Sequence, residues 1–117
     1  MTWAVEFADE FEVEFDTFTA PVKVELLARA RFLARFGPTL GRPYVDTLYG
    51  SQYRNLKELR FNAGVEVWRV AFAFDPERKA ILLCGGNKDG KDQKRFYQDL
   101  LRVADRRFKL YLESLGK

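Results

Sequence analysis

The sequence contains no histidine, and its single cysteine is Cys84. Without imidazole the most common general base is missing, so a Ser-His-Asp triad, a Cys-His dyad and a Cys/His zinc site are all excluded. One cysteine also rules out an internal disulfide framework. Cys84 closes an apolar run, which marks it as a small buried hydrophobe. Long apolar stretches are absent too: none approaches the ~18 residues a membrane-spanning helix needs, and the mean hydropathy is -0.33. The opening residues are acidic, unlike a signal peptide, so the expected location is the cytoplasm with no membrane partner. The scattered carboxylates show no pairing suited to glycosidase or metal chemistry, and neither a metal nor a cofactor is expected.

What is present suits one domain spanning residues 1–117. Hydrophobic residues make up 47% and aromatics 15% of the chain, enough for one core. Charge is unevenly spread. Glu6, Asp9, Glu10, Glu12, Glu14 and Asp16 stand in the first sixteen residues with no base among them, so the remainder holds twenty basic against eleven acidic residues, a formal +9 within an overall +3. A body of that sign attracts polyanions, nucleic acid first among them.

Trp3, Val5 and Phe7 alternate as a short strand would. From Asp9 to Phe18 two patterns compete: Phe11, Val13 and Phe15 alternate as a strand would, whereas Phe11, Phe15 and Phe18 follow a helical spacing, which the acidic residues, suited to a helix N-terminus, favour. Pro21 fits the first turn of a second helix capped at Thr19 or Ala20, whose stripe is Val22, Leu26, Leu27, Ala30 and Leu33, and Gly37-Pro38 ends it. Residues 37–52 carry Gly37, Pro38, Gly41, Pro43 and Gly50 and read as a connection. Three strand patterns follow, Tyr53 to Phe61, Glu66 to Asp75 and Ala80 to Cys84. From Gln93 to Leu115 the residues Tyr97, Leu100, Leu101, Ala104, Phe108, Tyr111 and Leu112 trace a helix with Asp92 as its cap. Trp3, Trp68 and most of that last stripe read as core.

A hairpin turn at Asn62-Ala63-Gly64-Val65 pairs Asn62 with Val65, Leu59 with Trp68, Glu58 with Arg69 and Arg60 with Val67. Alternation then puts Leu59, Phe61, Trp68, Val70, Phe72 and Phe74 on one face, ready to pack on the two N-terminal helices. The other face carries Glu58, Arg60, Val67, Arg69, Ala71 and Ala73, small residues around two guanidinium groups, like the floor of a groove. The alternative is a plain Glu58–Arg69 cross-strand ion pair with Arg60 solvated. Lys57 falls on the bulky face.

Gly85 to Asp92, G-G-N-K-D-G-K-D, approaches a phosphate loop between a strand and a helix. Asp92 replaces the magnesium-binding hydroxyl, and hairpins replace the parallel sheet of that fold, so nucleotide hydrolysis is not expected.

Taken together, LGRPYVDTLYGSQYRNLKELRF, VWRVAFAFDPERKAILLCGGNKDG and KRFYQDLLRVADRRF closely resemble the HigB-like, phage-derived branch of the RelE/ParE toxin superfamily of bacterial type II toxin–antitoxin systems. The resemblance covers nearly the whole chain. It implies an α+β, RelE-like compact antiparallel sheet with two N-terminal helices on one face and a long C-terminal helix. It further implies a ribosome-dependent mRNA endonuclease that works without metal, by attack of a ribose 2′-hydroxyl on the neighbouring phosphate. The implied partners are the ribosome, mRNA and a cognate antitoxin, expected to be a helix-turn-helix DNA-binding protein. Carried onto this sequence, the catalytic positions are Lys57, Arg60, Arg69, Lys88, Lys94 and Tyr97, with Arg54, Lys91 and Arg95 as further RNA contacts. Clustered cations would stabilise the charge that grows on the phosphoryl oxygens. The rival reading is a non-catalytic module of the same fold, either a gyrase-directed ParE-like toxin or a decayed toxin that only binds its antitoxin.

Overall fold

The structure, a computed structural model, describes residues 2–116. Strands Ala4–Phe7 (β1), Val45–Thr47 (β2), Leu56–Ala63 (β3), Glu66–Phe74 (β4) and Lys79–Asn87 (β5) form one sheet in the order β1-β5-β4-β3-β2. Every neighbouring pair is antiparallel except β1 with β5. The helices are Asp9–Asp16 (α1), Ala20–Phe36 (α2) and Gln93–Gly116 (α3), giving the expected α+β architecture.

Asp9, Glu10 and Glu12 sit in the first turn of α1, where carboxylates complement the helix dipole. Thr19 occupies the N-cap position of α2, with proline in the first turn. The hairpin of α1 and α2 covers the bulky sheet face, as its pattern requires: Phe11, Val22, Leu26 and Leu33 are buried, and the Phe18 ring lies 4.9 Å from that of Trp68. Leu27 points outward, so the buried stripe of α2 is narrower than its sequence suggests.

The β3–β4 hairpin corrects the expected register by two residues. Ala63 pairs with Glu66, Phe61 with Trp68 and Arg60 with Arg69, so the loop is Gly64-Val65. The reason is local. The first loop position needs positive φ, which Gly64 adopts at 62° and an alanine at position 63 would resist. The shift also brings the Phe61 and Trp68 rings into a stack, 6.2 Å apart and 8° from parallel. A two-residue slip preserves the division of faces.

Three further expectations change. The small-residue face is not an open groove floor, because α3 lies across it: Ala71 and Ala73 are completely buried, and the Cys84 thiol donates to the Leu100 carbonyl at 3.5 Å. Small side chains there let the helix approach the sheet. The connection between residues 37 and 52 contains the short edge strand β2, paired with β3 from Leu59 to Lys57. Finally, β5 runs on through Gly85, Gly86 and Asn87, so the first three residues of the glycine-rich stretch are strand.

One buried arginine ties the layers together. Arg107 of α3 donates to the Leu83 carbonyl of β5 at 2.8 Å, to Glu10 at 3.1 Å and to Glu14 of α1. It spans three elements, which fixes α3 over the sheet.

Candidate nucleic-acid interface

Arg60 and Arg69 are direct cross-strand partners on one face. Two like charges so placed repel each other unless a counter-charge lies between them. Glu58, one same-face position back on β3, supplies it. The Arg60 Nη1 donates to Glu58 Oε2 at 2.7 Å, while Arg69 Nε lies 3.9 Å from Glu58 Oε1, an ion pair too long for a hydrogen bond. Arg69 uses its Nη1 on the Trp68 carbonyl at 2.9 Å. Glu58 and Arg69 are 3% and 7% exposed, and both Glu58 Oε1 and Arg69 Nε are buried without a hydrogen-bond partner. The alternative of a Glu58–Arg69 pair with Arg60 solvated thus holds in its first half only: the pair is present, but Arg60 makes the tighter contact.

Lys88 and Tyr97 complete the cluster. Lys88 follows β5, its N–H donating to the Val67 carbonyl at 2.7 Å and its Nζ to Gln93 Oε1 at 2.8 Å. Burial lowers the Lys88 pKa from the ordinary lysine value, the charges of Arg69 and Arg60 lower it further, and Glu58 opposes them. Tyr97 stands one turn into α3, half-buried against Glu58 and Arg69. Burial raises its pKa first and the Glu58 carboxylate adds to the rise, so at neutral pH it is a hydroxyl donor.

A glycine of β5, Gly86, makes this closure possible. A Cβ on Gly86 would come 3.2 Å from the Phe96 ring, and one on Gly85 would meet Val70 Cγ2 at 2.9 Å and the Arg69 carbonyl at 3.3 Å. Gly86 lets the start of α3 pack closely on the sheet, whereas Gly85 leaves room for Val70 and the Phe11 ring on the opposite face, and no phosphate cradle is required to explain them. Asp92 caps that helix, accepting from the Arg95 N–H at 3.2 Å. Asn87 holds the preceding loop, its Oδ1 accepting from Val67 N–H and Asp89 N–H, each at 3.0 Å.

Of the positions proposed from sequence, the fold brings together Arg60, Arg69, Lys88 and Tyr97. Lys57 pairs with Phe72 and points to the opposite face, because no bulge interrupts the β3–β4 register there. Lys94 is exposed on the first turn of α3. Lys91 and Arg95 line a separate cleft of about 520 Å³ between α1, β5 and α3, whose lining also includes Glu14, Asp92 and Asp99. That mixture of signs makes it a poor seat for a polyanion. Arg54 lies beyond the far end of β3, beside Asp75 and Phe108.

Residues passed over in the sequence are Arg29, Arg42 and Tyr44, which share a pocket with Arg60 and Arg69. Arg29 carried a signal: it sits three residues after Leu26 and four before Leu33 on α2, at the margin of the buried stripe. Arg42 and Tyr44, in an irregular segment, gave none.

Residues 13–109 match the family described as "Phage derived protein Gp49-like". The chain is similar to "Putative toxin HigB3" of Mycobacterium tuberculosis, 51% identical over 78 residues that cover 67% of this chain and 66% of that protein. It is also similar to "Putative toxin HigB2" of the same organism, 42% identical over 88 residues, 74% of this chain and 43% of that protein. The matched region thus spans less than two thirds of either relative. Among solved structures, a mutant of the E. coli toxin RelE in the free state superposes with a TM-score of 0.62 over 86% of this chain and 95% of that chain, at 12% identity, a likeness of fold. The chain belongs to the phage-derived Gp49-like family, the HigB-like branch of the RelE-fold proteins.

Proposed function

We propose that this protein is the toxin of a toxin–antitoxin pair and cleaves mRNA on the ribosome. The observation that carries this reading is the cross-strand juxtaposition of Arg60 and Arg69, with Lys88 and Tyr97 closing over them. In the proposed reaction the 2′-hydroxyl of one nucleotide loses its proton and attacks the adjacent phosphorus. The bond from phosphorus to the 5′-oxygen breaks, leaving a 2′,3′-cyclic phosphate and a protonated 5′-hydroxyl. Arg60 and Arg69 stabilise the charge on the non-bridging oxygens, an effect worth roughly 3–4 kcal/mol per well-placed donor. Lys88, with its lowered pKa, takes the 2′-hydroxyl proton as its neutral amine. Tyr97, held protonated, donates to the departing oxygen.

Glu58 keeps both arginines oriented and competes with phosphate for them. That competition is also what favours the rival reading, a module of the same fold that only binds an antitoxin. The cognate antitoxin is proposed to be a helix-turn-helix protein, and the compartment the cytoplasm; no helix among the described residues is long and apolar enough to cross a membrane.

Induced expression followed by mapping of new 5′ ends on ribosome-associated RNA separates the readings. Cuts within translated codons are expected, and they should vanish in Arg69→Gln while circular dichroism shows a folded protein. Growth arrest with intact messages would point to gyrase, and no arrest would leave a binding module.

A further inference from the structure

Arg29 of α2, with Arg42 and Tyr44 just before β2, shares a pocket of about 420 Å³ with Arg60 and Arg69. The pocket sits where β2 ends, so β3 becomes a sheet edge: the Arg60 N–H donates to the Tyr44 carbonyl at 2.8 Å, and beyond that bond the strand has no partner on this side among the described residues.

Among the described residues no carboxylate lines this pocket. Each of its four arginines instead has a counter-charge outside the lining: Glu25 Oε1 is 3.3 Å from Arg29, Asp46 Oδ2 is 2.5 Å from Arg42, Glu58 Oε2 is 2.7 Å from Arg60 and Glu58 Oε1 is 3.9 Å from Arg69. These acids fix the guanidinium groups without occupying the pocket. Two donors remain: the Nε atoms of Arg29 and Arg69 are buried with no hydrogen-bond partner, and Arg69 is 7% exposed. Beside them the Tyr44 ring is accessible on its outer side and held in place by the Phe32 ring at 5.2 Å and the Arg29 guanidinium at 5.9 Å.

Converging guanidinium groups recognise a phosphodiester, and a fixed aromatic ring next to them recognises the base attached to it. An acidic peptide would use the cations and leave the ring idle. We infer that this pocket binds the nucleotide next to the cleaved one, with Arg29 and Arg42 on its phosphate and Tyr44 stacked on its base. The inference rests on the RNA-cleavage reading, and Arg60 and Arg69 are the shared wall that joins this pocket to the reaction centre.

The test is an NMR titration of the whole chain with 2′-O-methyl oligoribonucleotides, which bind without the attacking hydroxyl. Arginine Nε–H signals of Arg60 and Arg69 should shift with a dinucleotide and with a tetranucleotide, those of Arg29 and Arg42 only with the longer one, together with the Tyr44 ring. Arg42→Gln and Tyr44→Leu should each weaken tetranucleotide binding about ten-fold and leave dinucleotide affinity unchanged. Arg42→Gln should also reduce the salt slope by about one. Silence at Arg29 and Arg42 while Arg60 and Arg69 respond would overturn the inference, as would wild-type tetranucleotide affinity in both variants. So would a hexaglutamate peptide that shifts the same arginines as strongly as the tetranucleotide, which would assign the pocket to an acidic protein segment. If none of the four arginines responds to either oligonucleotide, the RNA-cleavage reading itself fails.

Discussion

Arg60 and Arg69 face each other across β3 and β4, and Glu58 joins them unequally, 2.7 Å from Arg60 and 3.9 Å from Arg69. The shorter bond organises the site. The longer one leaves Arg69 under-satisfied in a buried setting, which disfavours the folded state and favours an incoming anion.

Stability and RNA affinity should therefore move in opposite directions in Glu58→Gln. Removing the carboxylate leaves the buried Arg69 guanidinium opposed to the half-buried Arg60 with no counter-charge, and unfolding in urea should show a loss of about 2–3 kcal/mol. A short single-stranded RNA should bind more tightly than to wild type, because its phosphates no longer displace Glu58. The double variant with Arg60→Ala should recover part of the lost stability. Strict additivity of the two changes would mean that the 2.7 Å contact carries no coupling.

Lys88 titration provides a separate check. Its pKa is lowered by burial and then by Arg69 and Arg60, so NMR of the side-chain amine should show a midpoint below the ordinary lysine value of about 10.4. Arg69→Gln removes a positive neighbour and should raise that midpoint, whereas Glu58→Gln removes the opposing carboxylate and should lower it. If Lys88 is the proton acceptor, the cleavage rate in the wild type should rise with pH and level off at the same midpoint. A rate independent of pH through that range would remove Lys88 from proton transfer.

The sheet and its two faces were legible because alternation fixes which side each residue takes, and a two-residue error in register leaves that unchanged. Gly64, with its positive φ at the first loop position, sets the true register, and the stack of Phe61 on Trp68 adds to it. Arg60 and Arg69 could be assigned to one face for the same reason, and Lys57 to the other. What escaped was everything set by how elements lie over each other. Helix α3 has an obvious buried stripe, yet nothing in its spacing says that it crosses the Ala71 and Ala73 face, and so closes most of what reads as a groove. Arg42 and Tyr44 join the cluster only through the path of an irregular segment, which carries no periodic signal.

Gly85 and Gly86 should respond differently to alanine. At Gly85 the new Cβ would stand 2.9 Å from Val70 Cγ2 and 3.3 Å from the Arg69 carbonyl; backbone and a buried side chain cannot both retreat, and a loss of roughly 1–3 kcal/mol is expected. At Gly86 the contact is with the Phe96 ring at 3.2 Å. The ring can shift, so thermal stability should change less, but Tyr97 follows Phe96 in the same turn. Cleavage should consequently fall by more than stability does. Equal loss of cleavage and stability in both variants would show that the glycines serve packing alone.

Cys84 links the core to alkaline stability. The thiol is 5% exposed and donates to the Leu100 carbonyl at 3.5 Å, and burial pushes its pKa up to about 12. In the unfolded chain a cysteine ionises near 8.5. The folded state thus keeps the proton while the unfolded state loses it, so the thiol has no effect on stability below the unfolded value and lowers it progressively between there and about 12. At pH 10 the difference should amount to about 2 kcal/mol. Urea melts of the wild type and of Cys84→Ala should diverge accordingly: the substitution costs stability at neutral pH through its cavity, and that deficit should shrink as pH rises from 8 to 10. Iodoacetamide should label native Cys84 only through opening, at a rate that tracks the measured unfolding free energy. Rapid labelling of the native protein at neutral pH, or a deficit constant with pH, would place the thiol outside the packed layer between β5 and α3.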